Sequence, residues 1–253
     1  MTYTGSVLVE ACIDTAVSAG RALAGGAGRL ELCDNLVEGG TTPSPGMLAV
    51  VRERSPIPVH AMIRPRGGDF LYSGDEIAVM LADIAAAERL RADGVVFGGL
   101  TEEGQVDREL IARLIDAARP MTVVFHRAFD LARDPLEALD ALIELEVDRV
   151  LTSGLAPTAE EGIPVIRELV RRAEGRIVIL AGGGITETNA ARIVRETGVR
   201  ELHLRASKAE ASPMRFRREG VTIGKAYESG EYLRVETDSE RIRAVVEAVS
   251  GER

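Results

Sequence analysis

Val7-Leu8-Val9-Glu10-Ala11-Cys12 decides the fold, because its design returns seven more times: a short run rich in Val, Ile and Leu, followed by a helical stretch. The runs are Val7 to Cys12, Arg29 to Cys33, Pro58 to Ile63, Gly94 to Gly98, Thr122 to His126, Arg149 to Thr152, Ile177 to Ala181 and Glu201 to Leu204. Between the third and fourth, Glu76 to Arg91 sets Ile77, Met80, Leu81, Ile84, Ala87 and Glu88 at helical spacing. Such alternation argues a parallel sheet buried on both faces. Eight strands, with no Gly-x-Gly-x-x-Gly after the first, favour an α/β chain closed into a (β/α)8 TIM barrel over an open doubly wound sheet. A barrel carries its chemistry at the C-terminal ends of its strands, and there the polar residues of this chain gather.

No Pro/Gly/Ser-rich linker divides the 253 residues, so the whole of 1–253 reads as a single domain. Hydrophobic residues make up 45%, yet no uninterrupted apolar stretch reaches membrane-spanning length, and Met1 to Ser6 lacks a basic and then apolar leader. The expectation is a cytoplasmic protein with no membrane partner. A net charge of −9 repels nucleic acid, which is set aside as a partner. The only lysines, Lys208 and Lys225, follow the last predicted strand, so a Schiff-base lysine inside the barrel is disfavoured. Segment 210–235, rich in Arg, Glu and Gly with Tyr227 and Tyr232, predicts a loop or lid near the C-terminal face. A helix over Ser239 to Val249 closes the barrel.

The first two runs end alike, in Glu10-x-Cys12 and Glu31-x-Cys33. Strand side chains alternate, so within each run Glu and Cys share a face, and neighbouring strands can bring the sulfurs together. Two thiolates with little else suit a soft ion of low coordination number, above all Cu(I), whereas structural zinc wants four ligands. Free cysteines also serve as small buried apolar groups. Arg64 and Arg66, in Ile63-Arg64-Pro65-Arg66-Gly67-Gly68-Asp69-Phe70, make an anion clamp or else a structural ion pair with Asp69, Glu10 or Glu31. Gly182, Gly183 and Gly184 after the seventh strand, with Ser207 after the eighth, predict the phosphate cup common in barrels. Thr186 is placed to cap the next helix, and Thr152-Ser153-Gly154 adds hydroxyls to the rim. Of the three histidines, His60 lies mid-strand and reads as core. His203 sits on the eighth strand, and His126 at a strand end is the better candidate for proton transfer.

Those strings, together with Glu38-Gly39-Gly40-Thr41-Thr42-Pro43-Ser44, Phe125-His126-Arg127-Ala128-Phe129-Asp130, Leu151-Thr152-Ser153-Gly154 and Ala211-Ser212-Pro213-Met214-Arg215-Phe216, closely resemble the CutC family of copper-homeostasis proteins. The similarity runs from Val7 to about Phe216. It implies a cytoplasmic barrel linked to copper handling, a homo-oligomer, and Cu(I) held by cysteines matching Cys12 and Cys33. Arg205 departs from the family pattern, standing as a large cation where a small residue is expected after the eighth-strand histidine.

Two functions therefore stand side by side. The first is copper binding by Cys12 and Cys33, with Glu10 or Glu31 beside them. The second is an enzyme, an isomerase or lyase, acting on a small anionic or phosphorylated metabolite. There Glu10 and His126 would move protons while Arg64, Arg66, Gly182, Gly183, Gly184 and Ser207 hold the anion.

Overall fold

The computed structural model describes residues 7–221, 223 and 231–252. Eight parallel strands close on themselves in sequence order: β1 (Leu8–Ile13), β2 (Arg29–Leu32), β3 (Val59–Met62), β4 (Gly94–Phe97), β5 (Thr122–Phe125), β6 (Arg149–Thr152), β7 (Val178–Gly182) and β8 (Glu201–Leu204). Each lies within one residue of its predicted run at either end. Around them run α1 (Ala16–Ala24), α2 (Pro45–Arg54), α3 (Gly74–Arg89), α4 (Arg108–Ala118), α5 (Pro135–Glu144), α6 (Ile163–Ala173) and α7 (Ala190–Thr197).

Alternation along each strand splits the side chains into two sets. Outward residues such as Val9, Ala11, Leu30, Leu32, Val59, Val95, Phe97, Val123 and Phe125 pack with Ile111, Leu114, Leu139 and Ile166 of the helices into one continuous core. The inward set mixes polar residues with apolar ones, among them a small cluster of Cys12, Cys33, Met62, Val96 and Val124. The fold is thus held by the shell between sheet and helices, which leaves the barrel axis free to carry ionisable groups.

Helix starts follow their capping residues. Ser73 and Glu76 form a reciprocal capping box at α3, and Thr15, Ser44, Asp107 and Asp134 cap α1, α2, α4 and α5. Thr186 does not cap the helix after strand seven as expected. Asn189 bends back instead, accepting from the Thr186 N–H (2.8 Å) and donating to the Gly184 carbonyl (2.9 Å), and α7 begins only at Ala190. The glycine turn is thereby held as a compact loop.

Segment 210–235 begins and ends in strand rather than loop. β9 (Ser207–Ala211) and β10 (Leu233–Thr237) pair as an antiparallel ribbon outside the barrel sheet. Within the lid reading, residues 222 and 224–230, Tyr227 among them, lie outside the described residues, as does the leader reading of Met1 to Ser6. The ribbon docks on α1. Glu236 accepts from Thr15 Oγ1 (2.7 Å) and Ser18 Oγ (2.8 Å), and Arg21 grips Glu210 through both guanidinium nitrogens. Finally α8 (Ser239–Val249) buries Ile242, Val245 and Val249 against the outer core. Among the described residues no helix is long and apolar enough to cross a membrane.

Candidate metal centre

Parallel pairing of β1 with β2 sets Glu10 opposite Arg29 and Cys12 opposite Glu31, while the Cys33 N–H bonds the Ile13 carbonyl. This register brings the two sulfurs to 4.0 Å of each other inside the barrel, near its C-terminal mouth. The Glu31 carboxylate lies 3.4 Å from Cys33 Sγ, and one ligand atom each from Cys12, Glu31 and Cys33 lies within 4.8 Å of the others. Close approach is permitted by Gly40, whose φ of +92° and lack of a side chain leave room; a Cβ there would stand 3.0 Å from Cys33 Sγ.

Below the sulfurs lies a chain of ionisable groups. His203 Nδ1 bonds Glu10 Oε1 at 2.7 Å, and its Nε2 stands 3.8 Å from Glu31. The other Glu10 oxygen accepts from Arg29 Nε. Arg29 continues to Glu201 at 2.5 Å, and Glu201 to Arg149 at 3.0 Å. Burial opposes ionisation of Glu10, yet Arg29 and the hydrogen bond from His203 hold it well below the usual carboxylate range. Burial likewise opposes charge on His203, but Glu31, Cys12 and Glu10 around it push its pKa well above the ordinary imidazole value. The hydrogen bond with Cys33, helped by His203, draws Cys12 well below the ordinary thiol range. Cys12 beside it, together with burial, drives Cys33 up, and burial with the Cys12 charge raises Glu31. The arrangement is therefore a pair of coupled thiols beside a carboxyl, resting on the file His203, Glu10 and Arg29.

The other predicted residues lie elsewhere. Arg64 is buried, and its guanidinium donates to the carbonyls of Glu38, Gly40 and Gly68, each at 2.8 Å. Arg66 pairs with Glu76 and, at 2.9 Å, with Asp69, which is the structural ion pair weighed for it. Neither arginine compensates the carboxylates beside the sulfurs; Arg29 and His203 do. His126 packs under Phe70 with ring centroids 4.7 Å apart. Its Nδ1 accepts from the Ala128 N–H, and its buried Nε2 has no partner. Burial and the Arg64 charge lower its pKa to about 3. His60, also buried, stands 4.0 Å from Glu10. After β7 the backbone of Gly183 passes close to Ser153 and Arg127. Ser207 pairs with Thr237 in the ribbon, so no helix N-terminus follows β8.

The sequence alone gives Arg29, Glu201 and Arg149 no role and places His203 only as a residue of the eighth strand. A signal was present for Arg29, which precedes Glu31 and Cys33 by two and four residues and so shares their face. Which strand neighbours pair, and at what height, is carried by the register and not by either run alone.

The sequence profile of the CutC family matches residues 7–208. A copper homeostasis protein cutC homolog of Mus musculus is 50% identical over 238 residues, spanning 94% of this chain and 88% of its own. A family protein CutC of Parabacteroides distasonis is 48% identical, spanning 94% and 99%. Among solved structures, a crystal structure described as a copper homeostasis protein CutC from Streptococcus agalactiae superposes with a TM-score of 0.75 at 38% identity, over 78% of this chain and 97% of that one.

Proposed function

Because this chain belongs to the CutC family of copper-homeostasis proteins, we propose that it binds one Cu(I) per chain between Cys12 and Cys33, inside the mouth of the barrel. The observation that carries this reading is the 4.0 Å separation of two buried free sulfurs. Two metal–thiolate bonds of about 2.3 Å span at most about 4.6 Å, so a soft ion fits between them with a bent geometry. Glu31 is the adjacent third donor. Cys12 is poised as thiolate, and Cys33 gives up its proton on binding. Paired free thiols without a disulfide support action in the cytoplasm, where thiols stay reduced; a homo-oligomer belongs to the same reading by family. Titration against a competing Cu(I) chelator tests it: one copper per chain is expected, lost in Cys12→Ser and in Cys33→Ser. Unchanged uptake in both variants removes the proposal.

A second reading, an isomerase or lyase acting on a small anion, draws on one observation: His203 lies between Glu10 and Glu31, inside a buried proton-transfer chain. In it Glu10 and His126 remain the acid–base candidates, and Arg64, Arg66, Gly182, Gly183, Gly184 and Ser207 the anion contacts. Its weakest members are the two arginines, whose terminal guanidinium nitrogens are already engaged. A thermal-shift panel of sugar phosphates and inorganic phosphate tests it, and a flat response counts against it.

A further inference from the structure

Among the charged residues that line one cleft, Asp14 and Arg205 are opposite in sign and do not meet. The cleft, of about 790 Å³, opens over the C-terminal ends of β1, β2 and β8, with the ribbon as its far wall; Asp14, Asp34, Asn35, Leu36, Arg205 and Val235 are among its lining residues. That volume suits a small organic ligand. Among the described residues neither the Asp14 carboxylate nor the Arg205 guanidinium makes an ion pair, although Arg205 is near enough to act electrostatically on Asp14. Arg127, on the rim after β5, is by contrast paired with Asp130; Arg234 of the ribbon also lines the cleft. One wall of the cleft separates it from the sulfurs. Leu36 packs on the Cys12 and Cys33 cluster, and Asp14 and Asp34 follow those cysteines by two and one residues. Cys12, at 8% exposure against 1% for Cys33, is the less buried of the two residues.

A cuprous ion is soft and reaches a buried thiolate pair by exchange from another thiolate. We propose that this cleft seats a zwitterionic low-molecular-weight thiol, an amino-acid or short-peptide thiol, as the carrier from which Cu(I) passes to Cys12 and Cys33. The inference rests on the copper reading above. Arg205 takes the carrier's carboxylate in a two-point hydrogen bond, Asp14 takes its ammonium, and its sulfur points down at Cys12. In the exchange a bond forms between Cys12 and copper while one carrier sulfur–copper bond breaks. Cys33 then replaces the remaining carrier sulfur, and its proton leaves on the released carrier thiolate. Copper stays in the +1 state throughout, so no oxidant or reductant is required.

The test has two arms. Calorimetry of the metal-free protein with S-methylglutathione, which cannot bind copper through a thiolate, is expected to show saturable one-to-one binding, weakened about tenfold or more in Arg205→Gln and in Asp14→Asn. Stopped-flow transfer of Cu(I) from glutathione is expected to outpace transfer from 2-mercaptoethanol. Arg205→Gln is expected to abolish that advantage while its chelator-competed copper affinity stays that of the unaltered chain. Absent S-methylglutathione binding, equal binding by Arg205→Gln, or full displacement by equimolar inorganic phosphate overturns the proposal. Binding of S-methylglutathione by a protein that takes up no copper would instead remove the copper reading and leave the cleft assignment standing.

Discussion

Glu10 shows how much a single side chain can be asked to do inside a barrel. It is fully buried, shares one oxygen with His203 and the other with Arg29, and stands in the same interior as two thiols. Removing one partner of a buried ion pair leaves the other charge stranded, which costs roughly 3–5 kcal/mol. Glu10→Gln is therefore expected to lower stability by about that amount in urea denaturation; a change under about 1 kcal/mol would show that Arg29 finds full compensation in Glu201. His60 and His126 predict the pH response. Burial lowers their pKa values to about 4 and about 3, while the unfolded chain titrates near 6.5. Below that value the unfolded state takes up protons that the folded state refuses, so stability falls as pH drops from about 6.5 towards 4, by up to roughly 1.4 kcal/mol per pH unit for each histidine. His203 has the opposite sign: its raised pKa gives stability that is complete below about 6.5 and is lost only as pH climbs through the folded value. Denaturation midpoints at pH 7, 6 and 5 check this. A flat profile, or one unaltered by His126→Leu, would contradict it.

At the scale of elements, the strands were legible because period-2 patterning and β-branched composition survive in each run. The same patterning put Glu10 with Cys12 and Glu31 with Cys33. The ribbon was not legible. Ser207-Lys208-Ala209-Glu210-Ala211 and Leu233-Arg234-Val235-Glu236-Thr237 are short and polar, and they pair across a long sequence gap. Gly94 in β4 marks a tight interior that its sequence context alone does not announce. A Cβ on Gly94 would meet His60 Cδ2 at 2.6 Å and the Thr122 carbonyl at 2.8 Å, and the latter is backbone that cannot yield. Gly94→Ala is expected to destabilise by roughly 1–3 kcal/mol. An unchanged thermal midpoint would mean that β4 shifts without disturbing β5.

At the scale of the molecule, a large apolar shell outside the sheet carries the stability, and the interior combines a smaller apolar cluster with ionisable residues. Arg149, Glu201, Arg29, Glu10, His203, Glu31 and the two sulfurs form one file up the barrel. Much of that file was hidden in the sequence, because each strand shows only which face its residues share, whereas closure of β8 onto β1 puts His203 beside Glu10. An interior arranged in this way places the sulfur pair at its mouth, near a cleft lined by Asp14 and Arg205. Copper K-edge absorption of the protein loaded with one equivalent of Cu(I) tests the central claim directly. Sulfur neighbours at about 2.3 Å, lost when Cys12 and Cys33 are both serine, are the expected result, and a coordination shell of nitrogen and oxygen alone would contradict it.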